Sequence, residues 1–378
     1  MRSVLANSDK CIRCGLCFTK CPVIVTTARE SFPGPKTIAG DLPRPSHEFT
    51  VNEDIIYYCP ICGACTEICP LNIPVELITR ELRKSIVEAG RISATLRDAL
   101  ESAFKYGNPW GVPRGRRSEW AAGLEVKDLS KEEAEILYFV GCTPAYNERV
   151  QKVALSLVKI FKAAGLDFGI LGDEERCCGE PMYWIGEEAL FEELAKSNIE
   201  AFNRYGVKEI VTTSPHCYSI FKEEYPSVAE KFGMNFEVEV KHYTQLLFEL
   251  LKQGRLSFSK GINGSVTYQD PCSLGRRSGI FDEPREVLKA IPGLKLVEMR
   301  RTREESYCCG GGGGRIFLET KVQERLSVER IREASQLGVD VLATACPFCL
   351  LQLDDAVKVT GQKIEVKDVA ELVAEALG

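Results

Sequence analysis

One twelve-residue pattern occurs twice near the start of the chain and constrains it more than anything else. The first copy is Cys11-Ile-Arg-Cys14-Gly-Leu-Cys17-Phe-Thr-Lys-Cys21-Pro22, and the second is Cys59-Pro-Ile-Cys62-Gly-Ala-Cys65-Thr-Glu-Ile-Cys69-Pro70. This Cys-x2-Cys-x2-Cys-x3-Cys-Pro run is a ligand pattern for [4Fe–4S] clusters, in which the fourth cysteine serves the neighbouring centre. Three thiolates two residues apart wrap one face of a cubane, and Gly15 and Gly63 permit the tight backbone this needs. The proline after the fourth cysteine turns the chain away. The spacing therefore predicts one cluster on Cys11, Cys14, Cys17 and Cys69, and a second on Cys59, Cys62, Cys65 and Cys21. A pair of zinc sites is the competing reading, but zinc is normally held by two separated ligand pairs rather than three cysteines in seven residues.

The remaining nine of the 17 cysteines form a second region with an internal repeat. Cys142 aligns with Cys272, Cys177-Cys178-Gly179 with Cys308-Cys309-Gly310, and Ser214-Pro-His-Cys217 with Cys346-Pro-Phe-Cys349, at offsets of 130, 131 and 132. Tyr205-Gly-Val-Lys-Glu-Ile likewise matches Leu337-Gly-Val-Asp-Val-Leu. A duplication is the economical reading. In each copy short β-branched runs alternate with helical patterns, which predicts βα units on a parallel sheet. Strands are expected at 135–140, 168–171, 209–213 and 238–240, and again at 265–269, 294–298, 339–344 and 364–366. The cysteines then fall just beyond the carboxyl ends of strands, where open α/β sheets bind ligands and where helix N-termini favour anionic groups.

Between the two regions, 80–100 reads as one long amphipathic helix, followed by a breaker-rich stretch from Gly107 whose Arg114, Arg116 and Arg117 read as a solvated linker. The expected organisation is a helical cluster domain over 1–100, a linker over 101–133, and cysteine-rich domains over 134–255 and 256–378. The fold class is α+β multidomain, a small helical domain followed by two tandem α/β domains.

Composition supports a soluble protein. The net charge of −6 argues against nucleic-acid binding. Residues 1–8 lack a signal peptide's apolar stretch, and no apolar run nears the roughly 20 residues of a membrane span. The expected location is the cytoplasm, where thiols stay reduced.

The paired run, followed by the helix-like Val75-Glu-Leu-Ile-Thr-Arg-Glu-Leu-Arg, resembles the α-helical ferredoxin module of heterodisulfide reductases, and the duplicated region resembles their CCG cysteine-rich domains. The fusion is similar to the iron–sulfur subunit of membrane-linked heterodisulfide reductases. It is equally similar to the iron–sulfur subunits that accompany glycolate, lactate and glycerol-3-phosphate dehydrogenases or electron-transfer flavoproteins. The resemblance implies a non-cubane [4Fe–4S] cluster in the second copy, on Cys272, Cys308, Cys309, Cys346 and Cys349. The first copy departs from the pattern, because Ser214 replaces one cysteine and leaves Cys142, Cys177, Cys178 and Cys217. Those four suit a conventional iron–sulfur cluster, a metal with His216 assisting, or no metal.

The resemblance further implies an oxidoreductase subunit that takes electrons from a flavin-containing dehydrogenase, an electron-transfer flavoprotein or a reductase subunit. They would pass through the two [4Fe–4S] clusters to the CCG cluster and on to a quinone-linked or membrane partner, which would hold the chain at the inner face of the membrane. In the alternative, the chain is itself a reductase subunit and cleaves a disulfide at the Cys272, Cys308, Cys309, Cys346 and Cys349 centre. Two smaller features complete the reading. The glycine run at 310–314 lacks a P-loop ending and reads as backbone room beside a cluster. Of the three histidines, His216 is a candidate ligand or proton donor, and His242 reads as structural.

Overall fold

A computed structural model describes residues 2–27, 32–43 and 53–378; His47 lies outside them. The first module is a set of short helices around the cysteine loops. Gly15 and Gly63 adopt φ of +82° and +73° and precede the helices Leu16–Lys20 and Ala64–Glu67, which carry the third cysteine of each run. Arg13 and Ile61 are also left-handed, with φ of +58° and +54°, at the same place in each loop, just before the second cysteine. Side-chain-bearing residues pay roughly 1–2 kcal/mol for that conformation, so its recurrence marks both loops as built for a purpose beyond local stability.

Helix Val75–Glu88 buries Val75, Ile78, Leu82 and Ile86, and in its middle Thr79, Arg80, Glu81 and Arg83 as well, so it is enclosed by the rest of the molecule there. The expected single helix over 80–100 is two. Gly90, at φ +68°, follows the end of the first, and a second helix, Ala94–Tyr106, starts after Ser93. Amphipathic spacing continues across that break, so hydrophobic periodicity alone did not reveal it.

Among the described residues nine strands form two all-parallel sheets. The first contains β1 (Lys127–Asp128), β2 (Ile136–Phe139), β3 (Phe168–Ile170), β4 (Glu209–Thr212) and β5 (Glu239–His242), in the order β1-β3-β2-β4-β5. The second contains β6 (Gly264–Gln269), β7 (Leu294–Leu296), β8 (Val341–Thr344) and β9 (Glu365–Asp368), in the order β7-β6-β8-β9. Apart from the edge strand β1, the orders correspond strand for strand. Strands β2 and β8 are buried throughout, as apolar strands covered by helices on both faces must be.

The halves interlock. Helix Glu148–Ala163 packs against Val369–Leu377, and Arg149 clamps Glu371 at 2.8 and 3.0 Å. His242 and Asp368 cap the closing helices at matching positions, and the Tyr243 hydroxyl donates to Asp368 across the boundary at 2.6 Å. Arg83 ties all three modules together. Its guanidinium donates to the carbonyls of Ile56 and Cys59 in the first, Trp184 in the second and Gly313 in the third, at 2.6–3.0 Å.

Candidate metal centres

The structure brings the 17 cysteines into four sulfur-rich groups, none disulfide-bonded. Cys17 is in electrostatic contact with Cys11, Cys14 and Cys69. Cys21 lies beside Cys59 and Cys62, and Cys65 beside Cys59, Cys62 and Cys21. The fourth cysteine of each run thus joins the first three of the other. Cys14 is exposed, and Cys11, Cys17 and Cys69 are half-buried, so the first group is the most open to solvent. Exposed Ile12, Leu16 and Leu71 lie in the same stretches of chain.

In the first sheet domain, Cys142 opens helix Cys142–Tyr146 directly after β2, Cys177 and Cys178 follow β3, and Cys217 lies in the first turn of Pro215–Glu223 after β4. Cys178 and Cys217 have their sulfurs 3.2 Å apart, and Cys177 hydrogen-bonds Cys142 and Cys178. All four are buried. Ser214 is the N-cap of its helix, accepting from the His216 amide at 3.3 Å. Arg117, expected in a solvated linker, is only 2% exposed: it donates to Cys142 at 3.4 Å and pairs with Glu175. Glu175 also accepts from the amides of Val140 and Gly141. Arg114 lies against the carbonyls of Asp173 and Glu174, leaving Arg116 as the exposed member.

The second sheet domain joins its five cysteines in a continuous path. Cys272 contacts Cys308, Cys308 contacts Cys309, Cys309 contacts Cys349 at 3.3 Å, and Cys349 contacts Cys346. Two further contacts extend the path. Cys62 of the ferredoxin module lies beside Cys308, and His216 lies beside Cys346. His216, weighed as an assistant to the first copy, therefore faces the second. Its Nδ1 meets Glu180 at 2.7 Å, and although burial opposes its charge, Glu180 and Cys346 raise its pKa.

The glycine run at 310–314 provides room for the ferredoxin backbone. A Cβ at Gly312 would sit 2.7 Å from the Pro60 carbonyl oxygen, and one at Gly313 would sit 2.7 Å from Ile61.

The donor chemistry suits iron–sulfur centres, because the groups are all or nearly all sulfur. Burial pushes the Cys17 thiol up to about 11 and the Cys21 thiol up to about 12, so a neighbouring cation would favour their ionised forms. Hydrogen bonding from Cys308 pulls Cys62 down to about 6. Among the described residues no three Cys, His, Asp or Glu side chains close around a single metal ion.

Comparison with known proteins gives these groups a family. The 4Fe-4S dicluster domain matches residues 7–73, and the CCG Cysteine-rich domain matches 136–222 and 266–354. The chain is 32% identical over 397 residues to a subunit of the dihydromethanophenazine:CoB--CoM heterodisulfide reductase of Methanosarcina barkeri, spanning 99% of this chain and 95% of that one. The chain belongs to the family of that heterodisulfide reductase subunit. It is also 40% identical over 338 residues to the protein named "Probable iron-sulfur-binding oxidoreductase FadF" of Bacillus subtilis, and 35% identical over 343 residues to the EtfAB:quinone oxidoreductase of Syntrophomonas wolfei. Each of these two matches spans 86% of this chain and 47% of the other, so the chain spans about half the length of these curated relatives. Like its heterodisulfide reductase relatives, it carries a 4Fe-4S dicluster domain followed by two cysteine-rich CCG matches. Among the described residues no helix is long and apolar enough to cross a membrane.

The residues that sequence reasoning missed are Arg83, Arg117, Glu175, Glu180 and Arg276. Only Arg276 left a usable trace, four residues after Cys272.

Proposed function

We propose that the chain is an electron relay with a single inward route. The observation that carries this reading is the approach of Cys62 to Cys308 and Cys272, which sets a ferredoxin cysteine beside the sulfurs of the second sheet domain. In this reading Cys11, Cys14, Cys17 and Cys69 hold the outer [4Fe–4S] cluster, and Cys59, Cys62, Cys65 and Cys21 the inner one. Cys272, Cys308, Cys309, Cys346 and Cys349 hold a non-cubane cluster. Bound iron would supply one-electron chemistry there, and the order of the three cysteine sets suits a path from a flavoprotein-type donor to a quinone-linked or disulfide acceptor. The exposed Cys14 face suits entry, because every other group is more enclosed.

The domains are read as 1–100, 134–255 and 256–378, the last two descended from one ancestor, as the matching strand orders support. The chain works in the cytoplasm and reaches the inner face of the membrane through a partner. Cys142, Cys177, Cys178 and Cys217 hold a separate site that takes at most a conventional cluster, with His216 assigned to the second domain instead.

A disulfide-cleaving reading also has an observation in its favour. Cys272 is half-buried and lines a cavity of about 260 Å³, so a small disulfide has a route to the third centre. One experiment separates the two readings. After anaerobic purification, with iron and acid-labile sulfide counted, the EPR spectrum of the third centre is recorded with and without added thiols and disulfides. A relay shows no change, whereas a reductase subunit shows a perturbed signal. Zinc without sulfide overturns both.

A further inference from the structure

The junction of Cys62 and Cys308 contains a half-buried arginine, Arg276, whose Nη2 is shut away from solvent. Arg276 Nε donates to the Cys62 carbonyl at 2.8 Å, and Nη1 donates to the carbonyls of Ser306 and Glu304 at 2.7 and 3.1 Å. The groups that act on it electrostatically are, strongest first, Cys62, Cys272 and Cys308, which belong to two different cysteine sets. Its Nη2 has no partner in hydrogen-bonding geometry, although the guanidinium lies beside Cys62. The side chain lines cavities of about 270 and 260 Å³, one with Cys308 in its wall and the other with Cys62 and Cys272.

Two of the cations nearby are committed elsewhere, while Arg315 also acts on Cys308 and Cys59, and Arg83 on Cys59. Arg301 pairs with Glu333 and Glu329, and Arg277 stacks over Trp184 at 4.3 Å. Among the described residues no carboxylate pairs with Arg276, and backbone carbonyls do not cancel its charge. The first sheet domain lacks an equivalent. Tyr146 stands four residues after Cys142, and the arginine that reaches Cys142 is Arg117, which Glu175 neutralises.

We propose that Arg276 is a positioning residue for electron transfer, a fixed positive charge shared by the inner ferredoxin centre and the second sheet domain's centre that raises both reduction potentials together. This inference rests on the iron–sulfur reading above. A guanidinium keeps its proton under all working conditions, and in a site of low dielectric its charge favours whichever state of a neighbouring centre carries the extra electron. Net charge and hydrogen bonding around the sulfurs are the protein's levers on such potentials. A cation between two centres also offsets the repulsion between electrons on both, so neither centre becomes a trap for the other.

The test is an EPR-monitored redox titration of the intact, cluster-loaded chain. Arg276→Gln lowers both midpoint potentials, each by on the order of tenfold in the reduction equilibrium, or 59 mV for a one-electron couple, and leaves the outer centre unmoved. Arg276→Lys restores most of the shift. Unmoved potentials in Arg276→Gln overturn the proposal. So does an equal fall in both variants, because lysine keeps the charge but cannot reproduce the three-carbonyl fork, and equal loss therefore marks a purely structural role. Should Arg276→Gln fail to load clusters, the unmodified protein decides. With both centres reduced, their EPR signals must be split or broadened by mutual interaction, and sharp additive signals overturn the shared site. An absence of iron and sulfide in the unmodified protein instead defeats the functional reading itself.

Discussion

The two sheet domains share a strand order and a cysteine layout, yet they treat the same sequence position oppositely. In the first, Ser214 caps a helix by accepting the His216 amide. In the second, Cys346 occupies the equivalent N-cap, makes no side-chain capping bond, and turns its thiol to His216 and Cys349. An N-cap serine is worth about 1 kcal/mol to a helix, and a cysteine gives that up. The first domain has thus been resolved towards stability, with Arg117 and Glu175 sealing its four thiols. The second keeps its helix start uncapped, its fifth sulfur turned to His216 and Cys349, and a contact to the ferredoxin module through Cys308.

The largest expected effect breaks this asymmetry from the active side. Cys309→Ser removes the sulfur at the centre of the contact path, so the third centre's EPR signal and its share of iron disappear while both ferredoxin signals remain. Survival of the full iron count refutes the assignment. The converse variant, Ser214→Cys, completes the first domain's set. It is expected to raise iron and sulfide per chain and to add a second signal resembling the third centre's, whereas an unchanged count shows that the surrounding pocket also differs.

Stability measurements sharpen the comparison further. Arg117→Met leaves Glu175 buried with only two backbone donors, at a cost of about 3–5 kcal/mol, visible as a large fall in Tm. Arg116→Ala, one residue away, breaks an exposed pair and costs about 0–1 kcal/mol. Equal effects would show that Arg117 is not the seal.

A pH-dependent effect concerns the matching caps. Burial pushes His242 down to about 3 and Asp368 up to about 8. His242 stays neutral when folded, so its part of the stability is complete above about 6.5 and declines as pH falls towards 3. Asp368 holds its proton when folded, so its part is complete below about 3.8 and declines as pH rises towards 8. Tm measured against pH is expected to lose its acid-side slope in His242→Asn and its slope from 4 to 8 in Asp368→Asn. Both variants keep a side chain able to cap, so unchanged profiles would refute the assignments.

Cysteine spacing and strand periodicity were legible in the sequence because both are local. Cys142, Cys177 and Cys217 could be placed at strand ends from short β-branched runs alone. The arginines were not legible, because their partners are backbone carbonyls or carboxylates distant in sequence, as with Arg83 reaching Gly313 and Arg117 reaching Glu175. Charge next to proline and glycine looks solvated until the chain folds back over it. The glycine run was legible as space, but what fills the space was not.

That filling has a kinetic consequence. With bare backbone at Gly312 and Gly313 admitting the loop around Pro60 and Ile61, and Arg83 bonded into all three modules, the gap between Cys62 and Cys308 is fixed when the chain folds. A tethered carrier must swing to deliver its electron, and its rate falls as solvent thickens. In the proposed relay the internal hop would involve no search, and viscosity would act only on exchange with donor and acceptor.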